Sequence, residues 1–127
     1  MKYKFEIPIK LPSLNNYVEE CRYNKYMGAK TKRNVQRDIK IFIKQQLSNV
    51  HILKPVKIHF HWTEKDKRRD LDNVYSAQKF LLDSMVELEL IKDDGQKYVT
   101  DLIHTHETGE EYKVIVELEE IWQYHKR

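Results

Sequence analysis

Val56-Lys57-Ile58-His59-Phe60-His61-Trp62-Thr63, opened by Pro55, alternates apolar and polar residues. A period of two puts Val56, Ile58, Phe60 and Trp62 on one face of an extended chain and Lys57, His59 and His61 on the other, which predicts a half-buried strand. Glu64 to Arg69 follows as a charged connector, too polar for a core. The period then changes: Val74, Ala77, Leu81, Met85 and Leu88 form one apolar stripe, which predicts a helix from about Leu71 to Leu88.

Working outward from this unit, Lys2 to Ile9 alternates again, with Tyr3, Phe5, Ile7 and Ile9 on one face. Pro8 and Pro12 end that strand, and Ser13 to Lys25, with its Asn15-Asn16 pair, reads as a polar loop. From Thr31 to Asn49 the spacing of Val35, Ile39, Phe42, Ile43 and Leu47 is helical, and Lys32, Arg33, Arg37, Lys40 and Lys44 occupy the opposite face. Beyond the second helix, a turn at Lys92 to Gly95 leads to a strand over Lys97 to Thr105. A hairpin turn at Thr108-Gly109-Glu110 returns the chain as a strand over Tyr112 to Leu118. The order β-α-β-α-β-β predicts an α+β fold, a mixed sheet packed by two helices. With no internal repeat or linker, residues 1–127 read as one domain.

No apolar run approaches the length that crosses a bilayer, so no membrane association is expected. The first residues lack the apolar core of a signal peptide, and a reducing cytoplasm is the simplest compartment. A single cysteine, Cys21, excludes an internal disulfide and a cysteine-based zinc site. Charge is divided unevenly. Met1 to Thr63 holds 13 Lys/Arg against 4 Asp/Glu, whereas Glu64 to Arg127 holds 10 against 16. That asymmetry suits either a polyanion-binding face beside an acidic site or a solvated helix face.

The segment Lys67-Arg68-Arg69-Asp70-Leu71-Asp72-Asn73 carries the most chemistry. Asp-x-Asp between a strand and a helix can aim two hard oxygen ligands at one point, as Mg²⁺ requires, or can simply cap the helix. Asn73 adds a neutral donor, and Lys67, Arg68 and Arg69 are placed to hold phosphates. Asp72, Ser76, Lys79 and Asp83 fall on one helical stripe, opposite the apolar one. Asp93-Asp94, followed by Gly95 and Gln96, adds a second acidic pair. Adjacent like charges are costly unless solvated or compensated by a cation. Asp70, Asp72 and Asp94 together make a candidate three-carboxylate metal site.

These residues resemble the RusA-type Holliday-junction resolvases: Arg68-Arg69-Asp70-Leu71-Asp72-Asn73, then Lys79 and Asp83, then Asp93-Asp94-x-Gln96. Weaker likeness extends to Pro12-Ser13, Asn15-Asn16 and Lys54-Pro55-Val56-Lys57-Ile58. The resemblance implies a dimeric, magnesium-dependent endonuclease that cuts four-way DNA junctions, in bacteria or their phages, with Mn²⁺ as an alternative ion. It implies Asp70, Asp72 and Asp94 as metal ligands, Lys79 as the catalytic cation, and Asn73, Asp93 and Asp83 as auxiliary groups. Lys67, Arg68, Arg69, Lys32, Arg33 and Arg37 would hold DNA phosphates. In the family pattern the lysine follows the Asp-x-Asp-Asn run after two residues; here Lys79 follows after five, and Ser76 holds the ungapped position. Three inserted residues restore the mutual spacing of Lys79, Asp83, Asp94 and Gln96. A non-catalytic nucleic-acid-binding module and an inactive prophage relic of the same fold are the alternatives.

Two further groups stand out. His59 with His61, and His104 with His106, alternate on strands as zinc or copper ligands can. Tyr17, Tyr23 and Tyr26 interleave with Arg22 and Lys25 and are candidates for contacts to unpaired bases or sugars. Trp62, Trp122 and the other tyrosines read as core or sheet-surface residues.

Overall fold

The structure, a computed structural model, describes residues 1–121; Trp122 lies outside them. The elements are β1 (Lys2–Ile7), α1 (Leu14–Tyr23), α2 (Lys25–Gln46), β2 (Val56–Glu64), α3 (Leu71–Tyr75), α4 (Gln78–Glu87), β3 (Val99–Thr108) and β4 (Lys113–Glu120). The four strands form one mixed sheet in the order β1-β4-β2-β3. β4 runs antiparallel to both β1 and β2, whereas β3 lies parallel to β2 at the edge. A parallel neighbour cannot be reached by a tight turn, so α3 and α4 serve as the crossover between β2 and β3. That connection carries the acidic residues.

The expected alternation is realised in full on β2, where Val56, Ile58, Phe60 and Trp62 are buried. They meet Phe5 and Ile7 of β1 and Val114, Val116 and Leu118 of β4 in a single core cluster. Ile39 and Ile43 of α2, Val74 of α3 and Phe80, Leu81 and Met85 of α4 close it from the helical side. Phe60 is 0% exposed, and truncating such a side chain to alanine costs about 3–5 kcal/mol. The opposite sheet face keeps polar residues, among them Lys4, Glu117, His59 and His61, in cross-strand register.

Three local expectations are corrected. Most of the expected polar loop over Ser13 to Lys25 is helix α1, Leu14–Tyr23: Ser13 caps it by accepting from the Asn16 N–H at 3.1 Å. Capping and a narrow half-buried stripe, Leu14, Tyr17 and Cys21, form α1, which buries no residue completely. The next helix starts at Lys25, not Thr31, because the Asn24 side chain accepts from the N–H groups of Tyr26 and Met27. The expected helix over Leu71 to Leu88 is divided at Ser76-Ala77 into α3 and α4. There the bonding tightens to i→i−3, with Ala77 N–H donating to Val74 O at 3.4 Å and Lys79 N–H to Ser76 O at 3.3 Å. The Ser76 hydroxyl bonds back to Asn73 O at 2.7 Å, a competition with the backbone that bends helices.

Candidate active site

Asp70 ends the connector at the N-cap of α3, with φ −64° and ψ 151°. Its backbone carbonyl accepts from Asn73 and Val74, but its carboxylate makes no capping bond. An aspartate in that position normally accepts from the first-turn N–H groups, so the local structure leaves its oxygens available. Asp72, two residues on, is exposed and accepts only from the Asn73 N–H, at 3.0 Å. Among the described residues neither carboxylate has an ion-pair partner, although three cations precede them; Arg68 lies 3.8 Å from Asp66 and Arg69 turns to Glu64. Beside Asp70 lies a cleft of about 370 Å³, floored by Leu71 and Val74 and bounded by Lys67, Arg69 and His106.

Arg69 takes a role that its position in the basic run does not reveal. Its guanidinium grips Glu64 through Nε at 3.0 Å and Nη2 at 2.7 Å, and Nη1 donates to Leu11 O at 2.9 Å. Both side chains are largely buried, 17% and 13% exposed. The bidentate pair and the bond to Leu11 O fasten the end of β2 to the connector and to the segment before α1, immediately before Asp70. Lys67 and Arg68 remain exposed.

A second set of bonds fixes the other side of the acidic pair. The Leu14 N–H donates to Ser76 Oγ at 2.9 Å, and Asn15 Nδ2 donates to Asn73 Oδ1 at 2.8 Å. The start of α1 is thereby fastened to α3 and to the bend before α4. Asn15, Asn73 and Ser76 act as one connector here; Asn15 stood out in the sequence within the family likeness and Ser76 on the polar stripe, but neither as a partner of the other segment.

Past the bend, Lys79 extends between two carboxylates, with Nζ 3.1 Å from Asp83 and 3.8 Å from Asp94. Lys32 of α2 approaches Asp83 from across a cleft of about 500 Å³, at 4.0 Å. The hydrogen bond that Lys79 donates to Asp83, then the charges of Asp83 and Asp94, raise the Lys79 pKa above its ordinary value against the opposing effect of partial burial. Its ammonium therefore stays charged while remaining half exposed. The structure thus brings Lys79, Asp83, Asp94 and Lys32 together, while Asp70, Asp72 and Asn73 lie at the entrance of α3.

Among the described residues no set of three or more His, Cys, Asp or Glu side chains is gathered closely enough to hold a metal ion. The chemistry of the donors nonetheless suits a hard divalent cation: Asp70 and Asp72 supply uncompensated oxygens. At Asp94 the Lys79 ammonium lies 3.8 Å from the carboxylate.

The histidines are occupied otherwise. His59 and His61 both bond the Thr105 hydroxyl, at 2.7 and 2.6 Å, and His61 also meets Glu107 at 2.8 Å. His104 accepts at Nδ1 from the Trp62 indole N–H at 2.9 Å, which fixes it as the neutral Nε2–H tautomer donating to Gln78. It stacks on Tyr75 with ring centroids 4.4 Å apart. Burial first, then the charge of His59, lowers its pKa. Tyr17 packs edge-on against Phe80 at 5.7 Å, so it belongs to the packing of α1 and not to an exposed surface. On α2, Arg33 and Arg37 are exposed and line a groove of about 550 Å³ with Lys32 and Lys40.

Uncompensated carboxylates, a charged lysine and a groove in which four cations face one carboxylate, Glu87, are the side chains that phosphodiester cleavage calls for. Comparison with known proteins makes the class specific. A family model described as Endodeoxyribonuclease RusA matches residues 4–119, and the chain belongs to that family. Membership implies a Holliday-junction-resolving endonuclease activity on branched DNA. No curated protein matches the sequence. No helix among the described residues is long and apolar enough to cross a membrane.

Proposed function

We propose that the chain is a Mg²⁺-dependent crossover-junction endodeoxyribonuclease that hydrolyses phosphodiesters of four-way junctions as a homodimer. Asp70, Asp72 and Asp94 would hold the ion, with Mn²⁺ as an alternative, and Asn73, Asp93 and Asp83 would orient them. When bound, the ion supplies Lewis-acid stabilisation and a more acidic water. Lys79 contributes a fixed positive charge for the phosphoryl oxygens. Lys67, Arg68, Lys32, Arg33 and Arg37 hold backbone phosphates, a sequence-independent and salt-sensitive contribution. Arg69 positions the connector that carries Asp70. Two-fold symmetry suits the task, because two equivalent sites can nick opposing strands of one junction.

The observation that carries this reading is Asp70, an aspartate at a helix N-cap whose carboxylate does not cap. The direct test is incubation with a synthetic four-way junction in Mg²⁺ and then in EDTA. Paired symmetric nicks in Mg²⁺, abolished by EDTA, are expected. Binding without cleavage under both conditions would instead favour a non-catalytic DNA-binding module or an inactive relic of the fold.

A further inference from the structure

Two tyrosines stand at the elbow between α1 and α2 with little cover. Tyr23 is 90% exposed and Tyr26 69%, and Met27 beside them is 47% exposed. The support beneath them is firmly built. The Asn24 N–H closes α1 on Glu20 O at 2.8 Å, and its side chain opens α2 through Tyr26 and Met27. A Cβ at Gly28 would fall 2.4 Å from Cys21 Sγ and 3.0 Å from Cys21 Cα, so the helices cross where only glycine fits. One turn on, the Thr31 hydroxyl meets the Glu20 carboxylate at 3.2 Å. Exposed aromatic rings are therefore presented on a stiff elbow. Arg22, Lys25 and Lys30 are exposed around it, against one exposed carboxylate, Glu19.

We propose that this elbow is a base-stacking wedge, with Tyr23 and Tyr26 taking the faces of unpaired nucleobases where the strands of branched DNA separate. The inference rests on the branched-DNA reading above and adds to it a contact outside the carboxylate site. Every base offers a π face, so such contacts are tolerant of sequence. Arg22 and Lys25 supply the charge complementarity toward flanking phosphates. The elbow is also mechanically joined to the acidic residues: the start of α1 is bonded to Ser76 and Asn73. The ten residues of α1 span about 15 Å, which sets the distance between wedge and anchor.

The test uses a four-way junction with 2-aminopurine at the exchange point, titrated in EDTA so that nothing is cut. Wild-type protein is expected to change the 2-aminopurine fluorescence. The double variant Tyr23→Ala/Tyr26→Ala should lose that change and about thirtyfold or more in junction affinity, with duplex affinity unchanged. Tyr23→Phe/Tyr26→Phe should keep both, because phenylalanine stacks as well. An alanine variant with the wild-type signal and affinity overturns the wedge, as does an equal loss on duplex. An altered sedimentation coefficient for the alanine variant overturns it too, since the elbow would then be a contact between copies. Wild-type protein that binds no branched DNA overturns the underlying functional reading and the wedge with it, an outcome distinct from failure of the wedge alone.

Discussion

Arg69→Ala should unfold the region that holds Asp70 rather than merely weaken DNA binding. The substitution removes a guanidinium that makes three bonds, at 3.0, 2.7 and 2.9 Å, and leaves Glu64 and Leu11 O without it. Breaking a buried pair from one side costs about 3–5 kcal/mol because the remaining charge is uncompensated. With 17% and 13% of the two side chains exposed, the lower end, about 3 kcal/mol, applies. For a domain of this size that lowers Tm by about 10 °C. Arg69→Lys recovers only part, since an ammonium cannot reproduce the bidentate fork. Arg68→Ala is the contrast: its side chain is 89% exposed, so stability should stay within about 0.5 kcal/mol. The salt dependence of its DNA binding should flatten by about one charge. Thermal denaturation followed by circular dichroism, with DNA binding measured across a salt series, reads both. A wild-type Tm for Arg69→Ala, with binding weakened as in Arg68→Ala, would refute the anchoring role.

Lys79→Ala should lower turnover of bound junction about a hundredfold while costing a few tenths of a kcal/mol in stability, the worth of an exposed i,i+4 pair. Ser76→Ala should do the converse, losing about 1 kcal/mol through its bonds to Leu14 and Asn73 with turnover of bound junction kept; single-turnover kinetics beside denaturant melts separate the two. His104 gives a pH signature. Its folded-state pKa lies below the ordinary 6.5, so the unfolded chain binds more protons, and its contribution is full above pH 6.5 and lost as pH falls toward the lowered value. The fall in Tm between about pH 7.5 and 5.5 should therefore be shallower in His104→Gln than in the wild type; an identical slope would show that another group is responsible.

Strands and core were legible in the sequence because burial on one face writes a period of two, and β2 keeps it without interruption from Val56 to Trp62. What lay beyond the sequence was decided by contacts remote in the chain. α1 buries no residue completely, and its stripe of Leu14, Tyr17 and Cys21 is half-buried and set among polar residues, so the pattern was faint; Ser13 and the bonds to Ser76 and Asn73 hold it in place. The bend at Ser76-Ala77 was hidden because Val74, Ala77, Leu81 and Met85 remain buried on both sides of it. That bend falls within the stretch where this chain is longer than the family pattern, and Lys79 still reaches Asp83 and Asp94 beyond it. In the candidate site, the Asp-x-Asp run and Lys79 were readable as chemistry. The partner of Arg69 was not, since adjacency in a basic run says nothing about a glutamate at the end of the preceding strand. The gathering of Lys32 with Asp83 depends on how α2 packs against α4, which no local pattern records.

The most direct test of the central claim is Asp70→Asn, measured for both binding and cleavage of a four-way junction. Because Asp70 makes no capping bond, asparagine should leave Tm and junction binding in EDTA unchanged. Cleavage in Mg²⁺ should fall by several orders of magnitude as ligand charge is lost. Cleavage at the wild-type rate, or lost cleavage accompanied by lost folding, would contradict the assignment of Asp70 to the chemistry.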